Sequence, residues 1–225
     1  MVRTFLPLLA AVLTWLTLFS CFPIFKVGSE FGIGMSAPIE QRLALLNEEF
    51  RIERLNACVL FAIGGFLLSV AMSIHDCGQK SCLRNLGLAA ALGILMGGLS
   101  GYLGKTVYSW LLPKDSFPNT INTGIAQAAV FAIFGLFVGA LYGAPKVGKS
   151  AALVNGFFGA FAGAMGGLAF PIVTGILFPQ QNISTFLQPS FAGLLWLGLP
   201  FAFIGGTIVS ISSKPHIKKC ETSSE

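Results

Sequence analysis

Six apolar runs, each about as long as a bilayer is thick, dominate this chain: residues 5–25, 55–74, 86–104, 124–142, 151–170 and 191–212. A hydrocarbon core of about 30 Å needs roughly 20 apolar residues at 1.5 Å rise each, and none of these runs carries a charged side chain in its middle. Backbone groups in lipid must be satisfied within their own segment. The runs also lack the two-residue alternation of a barrel strand, so each is expected to be a helix. The expected fold is therefore all-α: a polytopic integral membrane bundle of about six transmembrane helices, one domain over residues 1–225, with the lipid bilayer as its surroundings. Composition agrees, since 54% hydrophobic against 10% charged residues leaves too little polar surface to coat a soluble fold.

Orientation follows from the loop lysines and arginines. Arg3, Lys80, Arg84, Lys146, Lys149, Lys214, Lys218 and Lys219 fall on one side, with the acids Asp76, Glu221 and Glu225. Lys26, Arg42, Arg51, Arg54, Lys105 and Lys114 fall on the other, balanced by Glu30, Glu40, Glu48, Glu49, Glu53 and Asp115. Both termini are expected to be cytoplasmic, in a plasma or inner membrane. The first run also reads as a secretory signal, with Arg3, an apolar stretch and then Cys21. Its Leu18-Phe19-Ser20-Cys21 string resembles a bacterial lipoprotein cleavage box with an atypical Phe19. Cleavage and retention both leave residues 26–54 outside.

Internal similarity is the most informative pattern. Phe61-Ala62-Ile63-Gly64-Gly65, Phe131-Ala132-Ile133-Phe134-Gly135 and Phe201-Ala202-Phe203-Ile204-Gly205 recur 70 residues apart in the second, fourth and sixth runs. In the third and fifth runs, Gly93, Gly97 and Gly101 match Gly159, Gly163 and Gly167 at an offset of 66, and Gly135, Gly139 and Gly143 continue the four-residue step in the fourth. Residues four apart share a helical face, and glycine there lets two backbones approach closely. These nine glycines are the expected helix-packing residues of a glycine zipper, and three two-helix hairpins are the expected repeat. Helices three and five are expected in the middle of the bundle. Alternatively, they line a conduit for a small solute. Both run apolar beyond the bilayer and are expected to be interrupted at Lys105 and Pro171, with Lys105 snorkelling outward beside an aromatic belt of Tyr102, Tyr108 and Trp110. The only midplane polar candidates are Asn155, Gln127 and Thr174.

Outside, Ile39, Leu43, Leu46 and Phe50 form one face of an amphipathic helix near 37–53, with Ser36 as N-cap, Pro38 in the first turn and Glu48 placed to pair with Arg51. It lies on the membrane or the bundle, or docks a partner protein; Gly28–Gly34 is a flexible lead into it. Inside, His75, Cys77, Cys82, His216 and Cys220 share one face and could supply nitrogen and sulfur ligands to zinc or copper. A solvated turn with reduced thiols and a flexible tail over 214–225 explains them equally. Cys220 is also placed for acylation, and Asn182-Ile183-Ser184 is a sequon close to a helix end.

No nucleophile, base and acid set, phosphate loop or helical His-Glu-x-x-His occurs, so no enzymatic activity and no cofactor are expected, and nothing points to nucleic acid. The leading expectation is a structural or accessory component of a membrane assembly, with homo-oligomerisation open. The alternatives are a small-solute channel or transporter and a metal-handling membrane protein.

Overall fold

The computed structural model describes residues 2–26, 38–75, 82–112, 120–147, 149–180, 185–188 and 190–212. The Gly28–Gly34 lead, Ser36, Cys77, Pro113, the Asn182 sequon and the 214–225 tail lie outside them. Six helices occur: α1 (Val2–Cys21), α2 (Ile39–His75), α3 (Cys82–Leu111), α4 (Thr120–Val147), α5 (Lys149–Leu177) and α6 (Ala192–Ser212). No strand is present among the described residues. The all-α membrane fold is as expected: α2 to α6 are long and apolar enough to cross a bilayer, while the apolar part of α1, Phe5–Cys21, is shorter.

Boundaries differ from the expected ones for local reasons. The first helix stops at Cys21 rather than 25, since Pro23 cannot donate a backbone bond and disfavours helix at the residue before it. Asn56 of α2 then holds the departing chain: its Oδ1 accepts from the Phe25 N–H at 2.9 Å and its Nδ2 donates to the Phe25 carbonyl at 3.0 Å. The amphipathic segment is not a separate surface helix. It is the N-terminal part of α2, whose 37 residues extend about 55 Å at 1.5 Å per residue. No glycine or proline lies between Ile39 and Ile63 to break it. Likewise α3 and α5 continue through Lys105 and Pro171 instead of being interrupted there.

Consecutive helices pack side by side, α6 closes against α1, and α2, α4 and α6 meet across the middle. The helices expected in the middle, α3 and α5, therefore lie on the flanks, with α4 between them. Glycine permits close approach but supplies no inward preference, and in this bundle bulk claims the interior. Phe61, Phe131, Phe134, Trp196 and Phe201 are all buried. Their rings lock at centroid distances of 5.3 Å for Phe61–Phe134, Phe131–Trp196 and Phe134–Phe201, in the edge-on and stacked geometries aromatic pairs prefer. The flanks face lipid. Along α5, Leu153, Phe157, Phe161, Met165, Ile172 and Ile176 form an exposed apolar stripe opposite its glycines.

Candidate functional site

Eight of the nine glycines singled out from the sequence sit where backbones of two helices meet. On α3, a Cβ on Gly93 would reach the Gly65 carbonyl oxygen of α2 at 2.6 Å and Ser69 Oγ at 2.7 Å. One on Gly97 would overlap the Phe61 carbonyl oxygen, and one on Gly101 the Ala57 carbonyl oxygen. Between α4 and α5, Gly135 and Gly159 face each other's carbonyls, Gly139 faces that of Asn155, Gly163 that of Phe131, and Gly167 that of Gln127. The surroundings of Gly143 fall outside the described side chains. Gly205 of α6 meets the Pro7 ring of α1, so each of the three repeated Phe-Ala segments places its last glycine against the helix that follows, with α1 following α6.

Lys105 is the only charged residue in the apolar spans of α3 to α6. It does not snorkel. At 6% exposure its Nζ lies 2.6 Å from Glu53 Oε2 of α2, and 5.3 and 5.7 Å from the ring centroids of Phe186 and Tyr108. The physical reason is a partner nearer than water: the continuous α2 carries Glu53 only two residues, about 3 Å, before the apolar run that starts at Leu55, and a buried cation is tolerated only when paired. Tyr108 is buried beside this pair rather than in an outer belt, while Tyr102 and Trp110 remain exposed. The connection between α5 and α6 dips back into this end of the bundle. Its Phe186, Leu187 and Gln188 are buried, and Phe186 packs against Phe61, Tyr108 and Trp196. Trp15 of α1 anchors the same connection, donating from Nε1 to the Ser190 carbonyl at 2.9 Å. The end of the aromatic core nearest the α5–α6 connection is thus plugged by Phe186, which lies beside the ion pair.

Of the polar candidates, Gln127 and Thr174 are completely buried and Asn155 nearly so. Gln127 Oε1 accepts from Trp196 Nε1 at 2.8 Å, tying α4 to α6. Neither Glu53 as the partner of Lys105 nor the buried 185–188 connection is legible in the sequence. A lone lysine in the otherwise uncharged Leu86–Leu111 span is the one signal in the sequence, and it calls for a partner acid.

On the N-terminal part of α2, Ile39, Leu43 and Leu46 are exposed at 75%, 55% and 48% and cover nothing. Arg51 donates to both Glu48 oxygens at 3.0 and 2.6 Å, which holds that exposed carboxyl below its ordinary pKa. Arg54 sits between the rings of Phe50 and Tyr102, 4.5 and 4.9 Å from their centroids, and donates to the Tyr102 hydroxyl at 2.9 Å.

His75 ends α2 and Cys82 begins α3; their side chains, with Cys77, His216 and Cys220, lie outside what is described. Among the described residues no group of three or more histidine, cysteine, aspartate or glutamate side chains could hold a metal ion. Comparison of the chain with protein-family models, curated proteins and solved structures returned no match.

Proposed function

We infer that this chain is a non-enzymatic multi-pass membrane protein acting as a structural or accessory component of a membrane assembly, with the outer part of α2 as its docking element. The observation that carries this is the exposed Ile39, Leu43 and Leu46 face on a helix that continues rigidly out of the bundle. An apolar stripe held clear of its own fold, beside near-balanced charge, suits a helix of a partner protein better than anionic lipid. Both termini lie on the cytoplasmic side in this reading, which puts residues 38–54 outside. The aromatic filling of the α2, α4 and α6 interior supports a packing role, and the separation of α3 from α5 by α4 disfavours a conduit between them.

The bundle is in this reading a threefold repeat held by glycine zippers. The α2–α3 and α4–α5 seams match, and α6 with α1 completes the set through Gly205 and Pro7. The test of the docking role is photo-crosslinking from residue 43 or 46 in native membranes. Capture of one defined protein from these positions, and not from Gln41 or Glu48, is expected; products confined to lipid would overturn the proposal.

A further inference from the structure

An arginine near the end of a spanning helix ordinarily reaches out into water. Arg54 is held instead. The rings of Phe50 and Tyr102 have their centroids 4.5 and 4.9 Å from its guanidinium carbon, and Nη1 donates to the Tyr102 hydroxyl at 2.9 Å. No carboxylate among the described residues pairs with it: Glu48 is taken by Arg51 and Glu53 by Lys105. Of the five guanidinium N–H groups, the one on Nε is buried without a partner and one on Nη1 is spent on Tyr102. The others, on Nη1 and Nη2, meet no protein acceptor among the described residues.

Arg54 also sits at a definite depth. It immediately precedes the apolar run that starts at Leu55, where hydrocarbon gives way to headgroups. From there toward the bilayer centre, the lipid-facing edge of the α2–α3 seam is lined by small residues. Cys58 and Ala62 follow Arg54 at steps of four on one face of α2, and both are half-buried. Gly98 of α3, one turn from Tyr102, lies against both: a Cβ there would stand 3.3 Å from Cys58 Sγ and 3.6 Å from Ala62 Cβ. Leu95 and Leu99 on either side of that turn are 65% and 45% exposed. The result is a shallow apolar groove that starts at the guanidinium and has leucines for its wall.

We propose that this edge of the α2–α3 seam binds one phospholipid, with the phosphodiester on Arg54 and Tyr102 and an acyl chain along Cys58, Ala62 and Gly98. Charge selects the headgroup. A guanidinium without a counter-anion at the edge of a low dielectric is costly, and a phosphodiester carries the single negative charge that balances it. Nη1 and Nη2 can present N–H groups side by side to two phosphate oxygens, the bidentate contact that arginine makes and lysine does not. Tyr102, which accepts from Arg54, keeps its own proton to donate to the same phosphate. The flanking rings already fix the guanidinium, so little side-chain freedom is left to lose on binding. The site does not depend on the docking role proposed for the 39–46 face.

Native mass spectrometry of the full chain, released from bilayers of equal phosphatidylglycerol and monogalactosyl diacylglycerol with identical acyl chains, tests this. The wild-type chain is expected to retain one phosphatidylglycerol, about tenfold or more in excess of the galactolipid, as one charge-assisted contact implies. Arg54→Gln should erase that preference, and Arg51→Gln, which removes an exposed arginine already paired with Glu48, should leave it unchanged. Equal retention of the two lipids by the wild-type chain overturns the proposal, and this comparison needs no variant to fold. So does a preference that survives Arg54→Gln or falls as far in Arg51→Gln, because the lipid is then held by overall charge. Inorganic phosphate that displaces phosphatidylglycerol from the detergent-solubilised chain also overturns it, since the groove would then contribute nothing.

Discussion

Gly167→Ala isolates the close approach of α4 and α5. The added Cβ would stand 2.6 Å from the Gln127 carbonyl oxygen and 2.8 Å from both the Cα and the nitrogen of Ala128, where ordinary contact begins at 3.4 Å. All three neighbours are backbone, so no rotamer change relieves the overlap. The helices must separate by roughly 0.6–0.8 Å, the difference between those distances and ordinary contact. Retreat on that scale forfeits a quarter to a half of the dispersion attraction of the atoms pulled apart, and overpacking of this kind costs about 1–3 kcal/mol. Gly175, two turns further along α5, has nothing within 4 Å of its Cβ position. Gly175→Ala should therefore stabilise by about 0.5–1 kcal/mol through helix propensity alone. The two variants, compared by reversible unfolding in mixed micelles, should move in opposite directions and differ by about 1.5–4 kcal/mol. Equal or parallel shifts would show that α4 and α5 do not meet at Gly167, and the whole seam would have to be abandoned.

The Lys105–Glu53 pair should be asymmetric: Glu53→Gln leaves a nearly fully buried cation, and costs about 1–3 kcal/mol after allowing for the half-exposed acid. Lys105→Met leaves only an acid that water reaches, fills similar volume, and should cost less than about 1 kcal/mol in the same unfolding assay. Trp196→Phe strands Gln127 Oε1 in the core and should destabilise by about 1–3 kcal/mol, read by thermal unfolding. Phe186→Ala should cost about 3 kcal/mol and expose Trp196 to solvent, seen as a red shift of its fluorescence.

Periodicity and composition made the helices legible, because a membrane allows almost no other way to bury a backbone. The repeated Phe-Ala segments were legible too, and their phenylalanines Phe61, Phe131 and Phe201 are all core residues. Glycine spacing did not indicate which helices are central. Close approach is not depth: Gly97 and Gly163 touch backbones of α2 and α4 from the periphery of the bundle. The length of α2 is hidden from hydropathy because the charged stretch 48–54 separates the amphipathic face from the apolar run, although that stretch contains no helix breaker.

By itself the sequence determined the class of object: apolar runs of bilayer length, without charges at their centres, can fold only as a spanning helical bundle. Its small residues at four-residue steps determined that some of those helices could meet backbone to backbone. Only the tertiary structure decided which helices occupy the middle, because that depends on how large side chains from α2, α4 and α6 fill one shared volume. It alone joined Lys105 to Glu53 and Gln127 to Trp196, partners 52 and 69 residues apart. Pairings at that separation leave no trace in local periodicity; they exist because burial makes an unmet charge or amide costly and brings the one available partner within reach.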